Sequence, residues 1–138
     1  MRIEPIRNGI VIDHITAGKS LRLYHLLGLD TADCPVSLIQ NAASRKMGRK
    51  DIIKIGADIP VNTDTIAYVA PEATVNLIRD GVLVEKKTLP PPKKLVNVVK
   101  CTNPRCITST EQELDHVFLL SEGEEGVYRC MYCEARAK

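Results

Sequence analysis

The sequence contains few aromatic residues: it has no tryptophan, one phenylalanine and four tyrosines. Proteins that bind single-stranded nucleic acid stack its bases on aromatic side chains, so this scarcity argues against a stacking surface. The charges are also nearly balanced, with 19 basic and 17 acidic residues. A net charge of +2 is too small to indicate nucleic acid or an anionic membrane as a partner.

Long hydrophobic segments are missing as well. The first residues, MRIEPIRNG, lack the apolar run of a signal peptide, and no stretch approaches the length of a transmembrane helix. These features predict a protein of the reducing cytoplasm, where disulfides are rare. The sequence also contains no P-loop, no GxGxxG and no nucleophile elbow, which favours a protein that is not an enzyme.

Cysteines are the most informative residues that the sequence does contain. Four of the five form two pairs, CTNPRC and CMYC, in the last third of the chain. Four thiolates at this spacing predict one structural Zn²⁺ in a closed tetrahedral site, which leaves no position open for chemistry. Two disulfides, an iron–sulfur cluster or a single iron ion are the alternatives. The predicted metal ligands are Cys101, Cys106, Cys130 and Cys133.

The part of the chain before these cysteines has alternating strand and helix signals. They lie at 10–15, 20–29, 34–42, 50–55, 63–69, 74–78 and 82–87. The second helix is expected to be capped by Thr63 or Asp64. The order β-α-β-β-α-β with one added strand predicts an α+β protein, a ferredoxin-like antiparallel sheet with two helices on one face.

A second, smaller domain is predicted after a proline-rich linker at 89–94, LPPPKK, which should be extended and semi-rigid. Short strands at 95–99, 117–120 and 127–129 would surround the cysteine pairs. A segment of this size is too short to be stable on a hydrophobic core alone and needs its metal. The predicted domains are therefore residues 1–94 and an all-β zinc-binding domain at 95–138.

Strand geometry predicts which lysines lie on the same face of the sheet, because alternate residues of a strand share a face. In KDIIKI, Lys50 and Lys54 flank Ile52 on one face. Two lysines separated by an apolar residue could hold phosphates while the apolar side chain packs a base. A solvated sheet face with scattered lysines is the alternative. A second set expected to share a face consists of Val82, Val84 and Lys86.

Asp13 and His14 are neighbours on a predicted strand, so their side chains are expected on opposite faces. A carboxylate could bind ribose hydroxyls and an imidazole could contact phosphate, while a structural His14 is the alternative. Cys34 lies in an apolar run and is expected to be buried; a small enzyme that uses His14 or a reactive Cys34 is a further alternative. His25 and His116 are expected to be structural or exposed.

Several stretches together resemble a known family. GIVIDHI, MGRKDIIKI, YVAPEATVN and Cx4C…CxxCE, in this order and separation, are similar to the regulatory chain of bacterial and archaeal aspartate carbamoyltransferase. The resemblance covers nearly the whole chain. It implies a non-catalytic chain whose ferredoxin-like domain binds ATP, CTP or UTP and whose zinc domain docks onto catalytic chains. It also implies regulatory-chain dimers that bridge catalytic trimers, six chains of each kind, in the control of pyrimidine biosynthesis.

The resemblance also implies roles for single residues. Asp13 would meet the ribose, His14 and Lys50 the phosphate region, Lys54 the ribose and base, and Lys86 a phosphate. Ile6 and Val11 match apolar positions near the base, and Glu4 matches a segment that lines the site. The nucleotide-binding residues expected on this basis are Glu4, Ile6, Val11, Asp13, His14, Lys50, Ile52, Lys54, Asn76, Ile78 and Lys86.

Asn103 and Glu134 match positions where this family contacts the catalytic chain. The main alternative function is a zinc-ribbon nucleic-acid-binding or transcription-associated protein, which predicts a basic C-terminal segment. Acidic residues outnumber basic ones there, which argues against this alternative. The acidic residues are Glu111, Glu113, Asp115, Glu122, Glu124, Glu125 and Glu134, and the basic ones are Arg105, Arg129, Arg136 and Lys138.

Overall fold

The chain divides into two compact units, residues 1–90 and residues 91–138. The computed structural model describes residues 7–137 of these units. The sequence predicts a boundary after residue 94, whereas Lys94 already pairs with Leu119 in the sheet of the second unit. Among the described residues, no helix is long and apolar enough to cross a membrane.

Among residues 7–90, the first unit contains five strands, two α-helices and one 3-10 turn. The strands and α-helices are β1 Gly9–Thr16, α1 Ser20–Leu26, β2 Val36–Ser44, β3 Gly48–Ile55, α2 Thr63–Val69, β4 Thr74–Arg79 and β5 Val82–Thr88. The strands form one sheet in the order β2-β3-β1-β4-β5, and every neighbouring pair is antiparallel. This order confirms the predicted ferredoxin-like topology with one added edge strand, β5.

Aliphatic side chains from the helices and the central strands form one core. In β3, alternate residues are buried while their neighbours are only partly covered, which is the pattern of a strand with one face toward the core. Leu23 of α1 and Ile66 of α2 are fully buried in the same cluster, so both helices cover one face as predicted. The core consists of Ile10, Ile12, Ile15, Leu23, Leu29, Ile53, Ile55, Ile66, Val69, Ala70, Ala73 and Val75.

The helix ends differ in detail from the predictions. Helix α1 ends earlier than predicted because Gly28 adopts φ 69°, a left-handed conformation that glycine reaches without steric cost, and a 3-10 turn follows. Helix α2 is capped by Asn62, whose side chain accepts backbone N–H groups of the first turn. The prediction of Thr63 or Asp64 as the cap is therefore wrong, because both already lie inside the helix.

The second unit contains three strands and one helical turn: β6 Lys94–Val96, α3 Ile107–Thr110, β7 Val117–Leu120 and β8 Tyr128–Cys130. The strands pair antiparallel in the order β6-β7-β8. The sequence did not predict α3, because four residues are too few to show a helical period. Besides cysteines, the buried hydrophobic side chains are Leu95, Val117, Phe118, Val127 and Tyr128.

Candidate functional site

A row of side chains crosses the sheet of the first unit on the face opposite the helices. Lys54 of β3 pairs with Val11 of β1, Val11 pairs with Asn76 of β4, and Asn76 pairs with Lys86 of β5. Directly paired residues of neighbouring strands point to the same face. The register therefore brings four predicted site residues from four strands into one line, and the Asn76 side-chain amide donates to the Val11 carbonyl at 3.3 Å.

An ion pair lies beside this row. The Lys50 Nζ of β3 is 2.9 Å from an Asp13 carboxylate oxygen of β1, and the two side chains are 17% and 23% exposed. Burial raises the pKa of Asp13, but the hydrogen bond from Lys50 and the backbone N–H of His14 hold it below 3.8. The carboxylate is therefore charged at neutral pH and fixes the position of one lysine.

His14 does not lie where the sequence places it. The register of β1 against β3 shifts between Ile12 and Ile15, and His14 has φ 58°. This bulge breaks the simple alternation, so Asp13 and His14 are both partly buried between the fully buried Ile12 and Ile15. The expectation of opposite faces is wrong: the His14 Nδ1 is 3.2 Å from the Thr74 hydroxyl and 4.0 Å from the Asp13 carboxylate.

A second bulge changes the prediction for β5. The register of β4 against β5 shifts so that Leu83 pairs with Ile78 and Lys86 pairs with Asn76. Ile78 and Asn76 are alternate residues of one strand, so Leu83 shares the face of Lys86. The expected set of Val82, Val84 and Lys86 is therefore wrong for Val82, which pairs with Arg79 on the other face because alternation does not continue across the bulge.

The neighbouring Lys87 lies on the other face. It pairs with Val75, a residue of the buried core. On the same side, it lines a cavity of about 190 Å³ together with Ile10 and Leu77. Two adjacent lysines of β5 thus point to opposite faces of the sheet.

The remaining predicted nucleotide residues are placed as follows. Ile52 pairs with Ile39 and is partly buried between the two lysines of its strand face. Ile78 pairs with Gly9 and Leu83 and is also partly buried. Glu4 and Ile6 lie outside the described residues.

This face has the chemistry for an anion attached to an apolar group. Lys50 is paired with a carboxylate, whereas Lys54 and Lys86 make no ion pair with any residue in 7–137. Partly buried aliphatic side chains, Val11 and Ile52, lie between them. Ammonium groups attract phosphates, and aliphatic surface next to them can pack a base.

The second unit brings its four paired cysteines together. The Sγ atoms of Cys101, Cys106, Cys130 and Cys133 all lie within 4.8 Å of one another. The Sγ distances are 3.5 Å for Cys101 to Cys133 and 3.7 Å for Cys106 to Cys130. Four sulfurs at about 2.3 Å from a tetrahedral Zn²⁺ lie about 3.8 Å apart, so this cluster fits such an ion.

The distances between the sulfurs do not match the two disulfides that the sequence leaves as an alternative. All five cysteines are free, and the two closest Sγ pairs each join one cysteine of the first pair to one of the second. The distances of 3.5 and 3.7 Å are far beyond a covalent S–S bond of about 2.05 Å.

Local hydrogen bonds shape each half of the cluster. In the first half, the Cys106 N–H donates to the Asn103 carbonyl at 3.0 Å, and the buried Thr108 hydroxyl of α3 donates to the Cys106 sulfur at 3.1 Å. In the second half, the Cys130 N–H donates to the Ala135 carbonyl at 2.9 Å. The helical turn α3 thus supplies a donor to a ligand sulfur.

The environments of the four thiols differ. Burial raises the pKa of Cys101 to about 12, and it also raises that of Cys130. The Ala135 backbone N–H, together with the Asn103 side chain, lowers the pKa of Cys133 to about 6. Four thiolates this close would repel one another without a cation between them, so the cluster suits a metal ion that favours the deprotonated cysteines.

The two residues predicted to contact a partner chain flank this cluster. The Asn103 side chain accepts the Arg105 N–H at 3.0 Å, which closes the turn between the first two cysteines. Glu134 follows the last cysteine, is exposed and has φ 65°. Its N–H donates to the Cys130 carbonyl at 2.9 Å.

One residue with structural importance was missed by the sequence patterns. Asp51 is fully buried, and its carboxylate accepts the backbone N–H groups of Gly18, Ser20 and Asn41. His116 accepts the Cys101 N–H through Nδ1 at 3.0 Å, a structural contact in agreement with the expectation for this histidine. The signal for Asp51 was its alternation with Ile53 and Ile55, which puts it on the core face of β3, where a charge needs buried partners.

Comparison with known proteins gives matches for both units. Residues 1–90 match the family described as aspartate carbamoyltransferase regulatory chain, allosteric domain, and residues 93–138 match its metal binding domain. The chain is 45% identical over 134 residues to the aspartate carbamoyltransferase regulatory chain of Clostridium botulinum strain Hall, covering 97% of this chain and 92% of the relative. It is 44% identical over 138 residues to that of Bifidobacterium longum, covering 100% and 99%.

Proposed function

The chain belongs to the family of aspartate carbamoyltransferase regulatory chains, and from this premise we propose that it binds nucleotide effectors and zinc and controls partner catalytic chains. As a regulatory chain it is not the catalytic chain of that enzyme. The nucleotides proposed are ATP, CTP and UTP, and the process controlled is pyrimidine biosynthesis in the cytoplasm.

The nucleotide proposal is carried by the row Lys54, Val11, Asn76 and Lys86 that crosses four strands. Two lysines without an ion-pair partner among residues 7–137 lie at its ends, and an aliphatic side chain and an amide lie between them. In our proposal the ammonium groups bind phosphates, and Val11 packs against the base. Asp13 lies beside the row and would accept hydrogen bonds from ribose hydroxyls.

The metal proposal is one structural Zn²⁺ per chain, held by the four clustered cysteines. An all-thiolate ligand set suits zinc, and a closed site leaves no position for a reacting water. The ion when bound supplies a cross-link between the two cysteine pairs. In our proposal this cross-link keeps Asn103 and Glu134 in place for a contact with the catalytic chain.

Control of the catalytic chains follows from differential binding. A nucleotide shifts an equilibrium between two quaternary states only by its difference in affinity for them, typically about 1–3 kcal/mol. ATP and CTP would compete for the same face while favouring different states. The assembly proposed is a regulatory-chain dimer that joins catalytic trimers, with six chains of each kind.

Isothermal titration of CTP and of ATP into the zinc-loaded chain tests the nucleotide site. We expect saturable binding of both, weakened about tenfold or more in Lys54→Ala and in Lys86→Ala, because each loses a charge-assisted contact. Lys87→Ala is the matched control, since it removes the same charge from the next residue on the opposite face. Absence of binding to the wild-type chain, or equal weakening in all three variants, contradicts the proposal.

Mixing the chain with catalytic trimers tests the assembly. We expect a large complex by sedimentation, and we expect chelation of zinc to dissociate it before nucleotide binding is lost. A chelated chain that still co-purifies with catalytic trimers would contradict this division of roles. A salt-dependent gel shift with DNA, without nucleotide binding, would instead favour the zinc-ribbon alternative.

A further inference from the structure

The four cysteines are not positioned in the same way. The loop between Cys101 and Cys106 is closed by local contacts, since the Cys106 N–H donates to the Asn103 carbonyl at 3.0 Å. The loop at the other pair is closed likewise, since the Cys130 N–H donates to the Ala135 carbonyl at 2.9 Å. In contrast, the Cys101 N–H donates to a side chain distant in sequence, the His116 Nδ1, at 3.0 Å.

His116 makes three hydrogen bonds to the segment that leads into Cys101. Its carbonyl accepts the Asn97 N–H at 2.8 Å, and its own N–H donates to the Asn97 side-chain oxygen at 2.9 Å. Its ring then accepts the Cys101 N–H. The residue immediately before β7 thereby forms hydrogen bonds to both ends of residues 97–101.

Residues 97–101 need these hydrogen bonds to hold their position, because the chain leaves the sheet here. Asn97 has φ 56°, so the backbone turns sharply after β6 and leaves the sheet. The Asn97 side-chain amide also donates to the Asp115 carboxylate at 2.9 Å, which fixes the turn against the residue before His116. Residues 98–100 belong to no strand or helix, and the next contact with the His116 imidazole is the hydrogen bond from the Cys101 N–H.

We propose that His116 is a positioning residue of the metal centre, which holds the backbone of Cys101 so that its sulfur meets the other three. The ring nitrogen that accepts the Cys101 N–H carries no proton, and the ring proton lies on Nε2. Residues that orient metal ligands typically change metal affinity about 10–100-fold when they are replaced. The inference rests on the proposed zinc site.

The test compares two substitutions at this position in the full-length chain. His116→Leu removes the acceptor, whereas His116→Asn keeps an oxygen at the place of Nδ1. Zn²⁺ affinity is measured by competition with a chromophoric chelator, and the absorption spectrum is recorded with Co²⁺ in place of zinc. We expect about tenfold or more weaker Zn²⁺ binding and an altered thiolate-to-Co²⁺ band in His116→Leu, and near wild-type values in His116→Asn.

Two controls separate positioning from loss of fold. Leu95→Ala makes a cavity in the small core of the same unit without removing a cysteine or the His116 acceptor, because Leu95 is 1% exposed and pairs with Phe118. It should leave the Co²⁺ spectrum unchanged even where it weakens binding. His25→Leu replaces an exposed histidine of the other unit and should change neither quantity.

The outcomes of this test are distinct. Equal affinities and spectra for wild type, His116→Leu and His116→Asn would overturn the positioning role while leaving the zinc site intact. The same spectral change in Leu95→Ala as in His116→Leu would overturn it too, because a general loss of packing would then explain both. A wild-type chain that takes up no Zn²⁺ or Co²⁺ would overturn the zinc proposal and this inference together.

Discussion

The two units of this chain are stabilised by different means. The first unit buries a continuous cluster of aliphatic side chains from three strands and two helices, with Ile12, Leu23, Ile53 and Ile66 fully buried. The second unit has a short sheet, and three of its four clustered cysteines are as buried as its few apolar core residues. The first unit can therefore be stable through packing, whereas in our proposal the second depends on a metal ion bound by its two cysteine pairs.

Removal of the metal should have the largest effect. Structural zinc contributes about 10–16 kcal/mol of apparent binding free energy in small domains, which exceeds what the few core residues of the second unit can replace. We expect a chelator to unfold residues 91–138 and leave the first unit folded. Two-dimensional amide NMR of the chain before and after chelation measures this directly. Cys34→Ser is the control, because Cys34 packs against the core of the first unit and not in the cysteine cluster. The chelator should have the same effect on this variant as on the wild type. Loss of amide chemical-shift dispersion from both units in one step would contradict this difference between the units.

A cavity in the larger core should be the next largest effect. Ile53→Ala removes a fully buried side chain, and we expect the free energy of unfolding of the first unit to fall by about 2–5 kcal/mol. The zinc affinity of the second unit should not change. Leu21→Ala is the control, because it shortens a side chain of α1 that is 52% exposed. Urea titration followed by the NMR signals of each unit measures the stability of the two units separately. A change of zinc affinity in Ile53→Ala would show that the units are coupled.

The buried carboxylate of Asp51 makes the stability of the first unit sensitive to acid. Burial raises its pKa, but the nearby Ser20 hydroxyl and the N–H groups of Asn41, Ser20 and Gly18 bring it below 3.8. A carboxyl with a lowered folded-state pKa stabilises the fold above the unfolded value of 3.8, and this contribution is lost as the pH falls through the folded-state pKa.

Asp51→Asn tests this electrostatic contribution. We expect a loss of about 1–3 kcal/mol at pH 7, because a neutral amide accepts the three N–H groups less strongly, and a smaller loss of stability on acidification. Urea midpoints from pH 7 to pH 3 measure both effects. Asp33→Asn changes the same charge in a loop outside the strands and helices and serves as the control. Parallel acid profiles for wild type and Asp51→Asn would refute the assignment.

The smallest effect is expected at the start of α2. Asn62→Ala removes the oxygen that accepts the N–H groups of Asp64 and Thr65, and we expect a loss of about 1 kcal/mol from the first unit only. Thr63→Ala should change stability by less, since Thr63 is the first helical residue and not the cap. Thermal or urea unfolding of both variants measures the contrast. A larger loss of stability in Thr63→Ala than in Asn62→Ala would instead favour Thr63 as the cap, as the sequence pattern predicted.

Local patterns predicted most of the elements. Alternation of isoleucines placed the core face of β3, and the glycines and prolines marked the turns between elements. The two bulges escaped prediction, because an extra residue in one strand is visible only against its partner strand. For that reason the sequence put Asp13 and His14 on opposite faces and grouped Val82 with Lys86, and the paired strands corrected both predictions.

The sequence by itself predicted the four cysteines that cluster and the shared face of the two lysines of β3. Both depend on spacing along the chain: two cysteines in one short loop can reach one ion, and alternate residues of one strand share a face. Only the tertiary structure decided that Lys86 joins Lys54 across four strands, and that His116 reaches the backbone of Cys101. The physical reason is that cross-strand register and long-range hydrogen bonds depend on the packing of segments distant in sequence, and no local periodicity encodes them.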